Sequence, residues 1–141
     1  LTDEQALPME VNGHELLLRP QSFFQTNTEM AAGLYQEAVA WADEIAPSSV
    51  WDLYCGVGGF ALHLAGPERA VLGVETSAEA VASAQEAARR SGAAADFVAG
   101  DATAFATGAE AALLASIVHE RPERLPELKR ELEEDGWPIR N

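Results

Sequence analysis

Residues 50–60, Val-Trp-Asp-Leu-Tyr-Cys-Gly-Val-Gly-Gly-Phe, constrain the fold of this chain more than any other stretch. The apolar run before the glycines predicts a buried strand, and the residues after them predict the start of a helix. Glycines at 56, 58 and 59 allow the backbone to adopt positive φ and allow a ligand to approach it closely. A strand, a glycine-rich turn and a helix in this order are typical of nucleotide-binding α/β proteins.

An acidic residue, Asp52, lies in the predicted strand just before this turn. In dinucleotide-binding turns the residues before the first glycine are normally apolar, and the helix N-terminus receives a pyrophosphate. A carboxylate would repel a pyrophosphate but would attract the ammonium and sulfonium groups of S-adenosylmethionine (SAM). The turn therefore favours SAM over NAD, and Asp52, Gly56 and Gly58 are candidate cofactor-binding residues.

Strands and helices alternate after the turn. Residues 70–75 and 96–99 predict two more buried strands, and the pair Thr76 and Glu79 resembles a capping box that begins a helix over 77–91. Strands that alternate with helices at this spacing predict right-handed βαβ units and a parallel sheet. We therefore expect a doubly wound α/β core.

The segments on either side of this core have different patterns. Asn12-Gly13 between two short apolar runs predicts a β-hairpin, and an apolar stripe at helical spacing (Met30, Leu34, Ala38, Trp41, Ile45) predicts a helix capped by Asn27 or Thr28. Beyond Gly108 the pattern changes, since residues 111–118 fit either a helix or a strand. The predicted organisation is a hairpin lead-in at 1–20, a SAM-binding α/β domain at 21–108 and a divergent, helical tail at 109–141, which includes the stripe Leu125, Leu128, Leu132.

Composition excludes several classes of protein. The single cysteine excludes an internal disulfide, and without a Cys/His cluster no metal site is expected. No apolar run approaches the length of a membrane-spanning helix and no secretory signal is present, so a cytoplasmic location is expected. The chain begins with Leu1 and looks like a piece of a longer one. Its net charge of -14 disfavours RNA, because nucleic-acid affinity depends on basic residues.

Four more residues are candidates for ligand contact. Glu75 follows Gly56 by 19 residues, a spacing at which a carboxylate accepts hydrogen bonds from ribose hydroxyls, although it could instead cap the next helix. Asp101 could bind an adenine amino group or belong to an ordinary turn. Tyr54 could lie along the ligand or pack in the core. Gln25 lies in a loop that could reach the strand ends, or is simply a turn residue.

The only cysteine is also the only possible thiol nucleophile. Cys55 lies inside the predicted ligand-binding turn, where a small residue more often packs than reacts. The three histidines are scattered along the chain and suggest no metal site. The residues themselves therefore indicate a cofactor site without an assigned catalytic group.

Three motifs together resemble the bacterial RNA uracil-C5 methyltransferases, and most of all the 23S rRNA (uracil-C5)-methyltransferase type. They are Leu-Arg-Pro-Gln-Ser-Phe-Phe-Gln-Thr-Asn at 18–27, Asp-Leu-Tyr-Cys-Gly-Val-Gly-Gly-Phe at 52–60 and Gly-Val-Glu at 73–75. The resemblance implies a Rossmann-like class I SAM-dependent methyltransferase fold, incomplete at both ends in this chain. It further implies SAM contacts from Gln25, Tyr54 and Glu75, with Asp101 a weaker member of the set.

The chemistry of that family requires residues that this sequence does not match. A cysteine thiolate adds to C6 of uracil so that C5 accepts the methyl group, and a base then removes the C5 proton. In the family these residues, and an Asn/Asp-Pro-Pro-Arg segment, lie downstream of the SAM-binding part. Here residues 117–122 read Ile-Val-His-Glu-Arg-Pro, and no cysteine follows. The resemblance thus implies an RNA partner, 23S rRNA, and SAM binding, but assigns no catalytic residue.

Three hypotheses follow. The leading one is the SAM-binding part of an RNA uracil-C5 methyltransferase. The alternative is a non-catalytic remnant or interaction module that retains the fold, which the acidic surface and the unmatched tail favour. A fragment of an NAD-dependent oxidoreductase is disfavoured by Asp52.

Overall fold

The computed structural model describes residues 6–20, 27–101, 112–114 and 130. Its first element is the predicted hairpin, in which β1 (Leu7–Val11) pairs antiparallel with β2 (His14–Leu18). Asn12 and Gly13 between them have φ of 50° and 81°. Two consecutive left-handed residues are what a two-residue type I′ turn needs, and Asn-Gly is the favoured pair for it. The sequence-based prediction of the hairpin is confirmed.

Helix α1 spans Thr28–Ile45, as predicted. Asn27 is its N-cap, and its side-chain oxygen accepts a hydrogen bond from the N–H of Met30 at 3.1 Å. This bond satisfies one of the free N–H groups of the first turn. The helix ends at Ile45, and its C-cap is Ala46, whose left-handed φ of 51° lets the chain turn towards the strand that begins at Ser49.

The side of α1 that is buried differs from the large apolar stripe of the sequence. Buried positions are occupied by small residues and one tyrosine (Ala31, Tyr35, Ala38, Ala42), whereas the large apolar side chains are 45–58% exposed (Met30, Leu34, Trp41, Ile45). The small side chains allow α1 to approach the neighbouring helix α2 (Gly59–Leu64) closely. Tyr35 lies directly over Gly59, where a side chain would overlap it.

Four parallel strands form the sheet in the order β5-β4-β3-β6. They are β3 (Ser49–Leu53), β4 (Ala70–Glu75), β5 (Ala95–Ala99) and β6 (Ala112–Leu114). The chain moves outward from β3 through β4 to β5 and then returns to the other side of β3. Such a reversal between β3 and β6 is the point at which open α/β sheets bind ligands, beyond the carboxyl ends of the strands. The predicted parallel α/β sheet with flanking helices is confirmed, and the described helices lie on one of its two faces.

Strand β6 lies beyond the predicted domain boundary at residue 108. Its residues pair with Trp51, Asp52 and Leu53 of β3. The sequence allowed either a helix or a strand for residues 111–118, and the structure has a strand at 112–114. The sheet therefore includes a segment that the sequence-based prediction placed in the tail. The stripe Leu125, Leu128, Leu132 lies outside the described residues.

Helix α3 (Ala78–Ser91) begins with a different cap from the predicted one. Ser77, and not Thr76, is the N-cap, since its hydroxyl accepts a hydrogen bond from the N–H of Ala80 at 3.3 Å. The hydroxyl of Thr76 donates to Glu75 instead, at 3.0 Å. Gly92 caps the C-terminus of the helix with a left-handed φ of 70°, a conformation that glycine adopts without strain.

The main core lies on one side of the sheet. The hairpin and all three described helices cover it there, with Leu16, Leu62 and Phe97 among the buried side chains. Leu53 and Val74 are buried in a second, smaller hydrophobic cluster. Among the described residues, no helix is long and apolar enough to cross a membrane. The carboxyl ends of β3 and β4 lie beside the reversal in strand order, where open α/β sheets bind ligands.

Candidate functional site

The turn between β3 and α2 contains three left-handed residues within five positions. Tyr54, Gly56 and Gly58 have φ of 63°, 55° and 84°. Two backbone–backbone hydrogen bonds help to hold the turn in place: Cys55 N–H donates to the carbonyl of Val74 at 3.0 Å, and Gly58 N–H donates to the carbonyl of Cys55 at 2.9 Å. The two glycines have the conformation that the sequence indicated, and the sharp turn directs the start of α2 towards the strand ends.

The glycines of the turn are required for different reasons. A Cβ on Gly58 would lie 2.8 Å from the ring of Phe97, so this position needs glycine for both its φ and its packing. A Cβ on Gly56 would have no atom within 4 Å. Gly56 therefore borders open space through which a ligand can approach the backbone.

Asp52 has a structural role that the sequence did not reveal. Its side chain is 2% exposed, and its Oδ2 accepts a hydrogen bond from the N–H of Ala61 at 3.0 Å. Because the N-cap of α2 is Gly58, which has no side chain, Asp52 supplies the cap from the adjoining strand. The pKa of Asp52 is raised to about 7, mainly by burial; the hydrogen bond from Ala61 N–H lowers the pKa and the charge of Glu75 raises it, and both are smaller effects.

Glu75 joins the turn to the start of α3. Its Oε2 accepts the N–H of Gly56 at 3.0 Å, while its Oε1 accepts the Thr76 hydroxyl and the N–H of Ser77, each at 3.0 Å. The bond from Ser77 N–H is the kind of contact expected if Glu75 caps the next helix. The bond from Gly56 N–H fixes the carboxylate against the glycine turn. A carboxylate has about four acceptor positions, so capacity remains for a ligand hydroxyl.

Tyr54 adopts a conformation that few residues other than glycine tolerate. The left-handed backbone costs on the order of 1–2 kcal/mol for a residue with a Cβ, and such strain tends to persist at functional sites. The side chain is half-buried and packs against the cluster of Leu53 and Val74. Tyr54 thus lies at the carboxyl end of β3, beside the turn, with part of its ring accessible.

The remaining candidates are at the same edge or outside the described residues. Gly100 N–H donates to the carbonyl of Glu75 at 2.9 Å, which brings the exposed Asp101 to the strand end next to Glu75. Gln25 lies outside the described residues. The structure therefore brings together the residues of the turn, Glu75 and the end of β5, which come from three neighbouring strands.

Cys55 has the environment of an unreactive thiol. It is half-buried, and a Cβ on Gly73 would come within 2.9 Å of its Sγ, so it packs closely over β4. Burial raises its pKa strongly, and the charges of Asp52 and Glu75 raise it further. Since the thiolate is the nucleophile, a raised pKa opposes a catalytic role. No group of three or more possible metal ligands occurs among the described residues.

Comparisons with known proteins identify the family of this chain. Residues 50–136 match the protein family described as "Methyltransferase domain". The 23S rRNA (uracil(747)-C(5))-methyltransferase RlmC of Yersinia pestis (strain Pestoides F) is 49% identical over 125 residues, which are 88% of this chain and 33% of that protein. The protein of the same name from Yersinia pseudotuberculosis serotype O:1b (strain IP 31758) is 50% identical over the same shares. The chain spans about a third of the length of these relatives.

A solved structure has the same fold at lower sequence similarity. The Pyrococcus abyssi tRNA (uracil-54, C5)-methyltransferase, in complex with S-adenosyl-L-homocysteine, superimposes with a TM-score of 0.70 at 22% identity. The match covers 91% of this chain and 32% of that one. The sequence-based prediction of a Rossmann-like class I methyltransferase fold is confirmed.

Proposed function

The chain belongs to the methyltransferase domain family, and from this premise we propose that it is the SAM-binding part of an RNA uracil-C5 methyltransferase. The observation that supports the proposal most is the link between Glu75 and the glycine turn, through the 3.0 Å bond to Gly56 N–H. It places a carboxylate beside open backbone at the carboxyl edge of the sheet, where a nucleoside ligand is expected. SAM would supply the transferable methyl group.

Each residue at this edge has a proposed role. Glu75 accepts the ribose hydroxyls, and Gly56 and Gly58 allow the ligand to approach the backbone. Tyr54 contacts the cofactor, and Asp101 binds the adenine amino group. Gln25, which lies outside the described residues, is proposed as a further cofactor contact. Asp52 contributes negative charge without direct exposure. Part of the same proposal is that the methyl acceptor is uracil in 23S rRNA and that the location is cytoplasmic.

The described residues can bind the methyl donor, SAM, but provide no group that activates the methyl acceptor, uracil. Attack on C6 of uracil needs a thiolate, and Cys55 is packed over β4 with a raised pKa. The acceptor RNA also needs basic residues, and the four arginines of residues 6–101 are all in ion pairs, with Glu79, Asp43, Glu86 and Glu15. We therefore assign binding of SAM, and no catalytic residue, to the part of the chain that the structure describes.

Replacing Glu75 with alanine is expected to weaken SAM binding at least roughly 10-fold, because a charged acceptor of ribose hydroxyls is lost. Isothermal titration calorimetry with SAM and with S-adenosylhomocysteine measures the effect on both ligands, which share the ribose. A matched control is Glu79→Ala, which removes the same charge from the first turn of α3, where Glu79 lies 3.8 Å from Arg19. Equal affinities for wild type and Glu75→Ala would contradict the ribose contact.

A second candidate function is an interaction module that retains the fold. The exposed apolar side of α1, formed by Met30, Leu34, Trp41 and Ile45, favours it, since large exposed apolar patches often mark protein contacts. The same titration separates the two functions. Absence of SAM binding by wild type, together with a stable protein partner in a pull-down that Trp41→Glu abolishes, would support the interaction module.

A further inference from the structure

Two acidic residues, Asp52 and Glu75, lie at the glycine turn itself. The ion pairs of the described residues join Arg19 to Glu79, Arg69 to Asp43, Arg89 to Glu86 and Arg90 to Glu15. None of these pairs includes Asp52 or Glu75. Two carboxyl groups therefore flank the glycine turn without a positive side chain from the described part of the chain to balance them.

The surroundings of Asp52 provide little compensation for a buried charge. Four groups of the described residues interact with its carboxyl group: the Tyr35 phenol from α1, the Ala61 N–H from α2, the Cys55 thiol from the turn and the Glu75 carboxylate from β4. Strand β6 also pairs with Asp52, through Leu113, and contributes no titratable group there. The phenol and thiol are neutral, and Glu75 is repulsive. A buried carboxylate with one hydrogen bond and no cation is costly, so the free protein favours the protonated acid.

We propose that Asp52 enables the site to distinguish SAM from S-adenosylhomocysteine, and that Asp52 releases its proton when SAM binds. This inference rests on the proposed function. SAM and S-adenosylhomocysteine share an adenosine, an ammonium and a carboxylate, but only SAM has a sulfonium charge. That positive charge stabilises the ionised form of Asp52, and the proton passes to the buffer. The charge of Asp52 in turn favours SAM over the product, because opposite charges attract more strongly where water is excluded.

The proton balance distinguishes this role from simple binding. Calorimetry of SAM binding at pH 6.5 in two buffers with different ionisation enthalpies yields the number of protons released. We expect wild type to release roughly half a proton or more for each SAM bound and fewer for each S-adenosylhomocysteine bound. Asp52→Asn should release no proton from position 52. Asparagine can still accept the hydrogen bond from Ala61 N–H, so the cap of α2 is retained.

The same variant tests the preference for SAM. Asp52→Asn is expected to bind SAM about 10-fold more weakly, while affinity for S-adenosylhomocysteine changes less than about 2-fold. Asp96→Asn is the matched control, since it removes an exposed carboxylate from β5 and should leave both affinities and the proton count unchanged.

The outcomes separate this inference from the proposed function. SAM binding by wild type without proton release, or an unchanged preference for SAM in Asp52→Asn, overturns the role of Asp52 and leaves SAM binding in place. Absence of SAM binding by wild type overturns both. If Asp52→Asn does not fold, the proton count of wild type with SAM against S-adenosylhomocysteine decides the question, and equal counts for the two ligands reject it.

Discussion

Replacing Gly58 with alanine is expected to destabilise the chain by roughly 2–5 kcal/mol, whereas the same change at Gly56 costs roughly 1–2 kcal/mol. Both glycines have left-handed backbones, with φ of 84° and 55°, so both variants lose the conformational freedom of glycine. Only at Gly58 does the new Cβ meet another group, because it would lie 2.8 Å from the Phe97 ring and 3.0 Å from the Cβ of Ala84. The difference between the two variants therefore measures the close packing of the turn on β5 and α3.

Urea denaturation of both variants measures this difference. A double variant, Gly58→Ala with Phe97→Leu, provides the control, since a smaller side chain at 97 makes room for the Cβ. It should be less destabilised than the sum of the two single changes, because the two sites are in contact. Equal losses for Gly56→Ala and Gly58→Ala, or strict additivity in the double variant, would show that the proximity of Phe97 has no energetic consequence.

The ligand-free chain is expected to lose stability as the pH rises from 5 to 8, and Asp52→Asn should remove this component. The pKa of Asp52 is raised from 3.8 to about 7, mainly by burial. Between these values the folded state binds a proton that the unfolded state does not. The stabilisation is therefore complete below about pH 4 and is lost as the pH rises through about 7. The expected loss from this group between pH 5 and 8 is on the order of 2–3 kcal/mol.

Urea denaturation at several pH values, with wild type and Asp52→Asn in parallel, isolates this contribution from other titrating groups. The stability of Asp52→Asn relative to wild type should increase with pH. The control Asp96→Asn removes an exposed carboxylate rather than a buried one, so its stability should have the same pH dependence as that of wild type. A constant difference between wild type and Asp52→Asn across this range would mean that Asp52 is already ionised at pH 5 in the folded chain.

Local sequence signals predicted the elements that form the site. The apolar run, the glycines and the acid at 75 specified a strand, a turn and a second strand end, because each signal depends on residues close together in the chain. The Asn12-Gly13 hairpin and the Asn27 cap were predictable for the same reason. Gly56 and Glu75, which are 19 residues apart in the sequence, are joined by a hydrogen bond in the structure.

Features that depend on distant neighbours could not be predicted. Thr76 was expected to cap α3, but its hydroxyl donates to Glu75, so Ser77 is the cap. The large apolar stripe of α1 indicated a buried side, yet close packing against α2 selected the alanine side. The left-handed backbone of Tyr54 follows from how the turn is hydrogen-bonded to β4, which no local pattern indicates.

The most direct test of the proposed SAM site is the change in amide chemical shifts when SAM is added to the ¹⁵N-labelled chain. We expect the largest changes at the turn and at the end of β4, in Gly56, Gly58 and Ser77. Gln85 and Gly92 border a cavity elsewhere on α3, and their amides should change little. Changes confined to Gln85 and Gly92, or none at saturating SAM, would contradict the assignment of the glycine turn and Glu75 as a SAM-binding site.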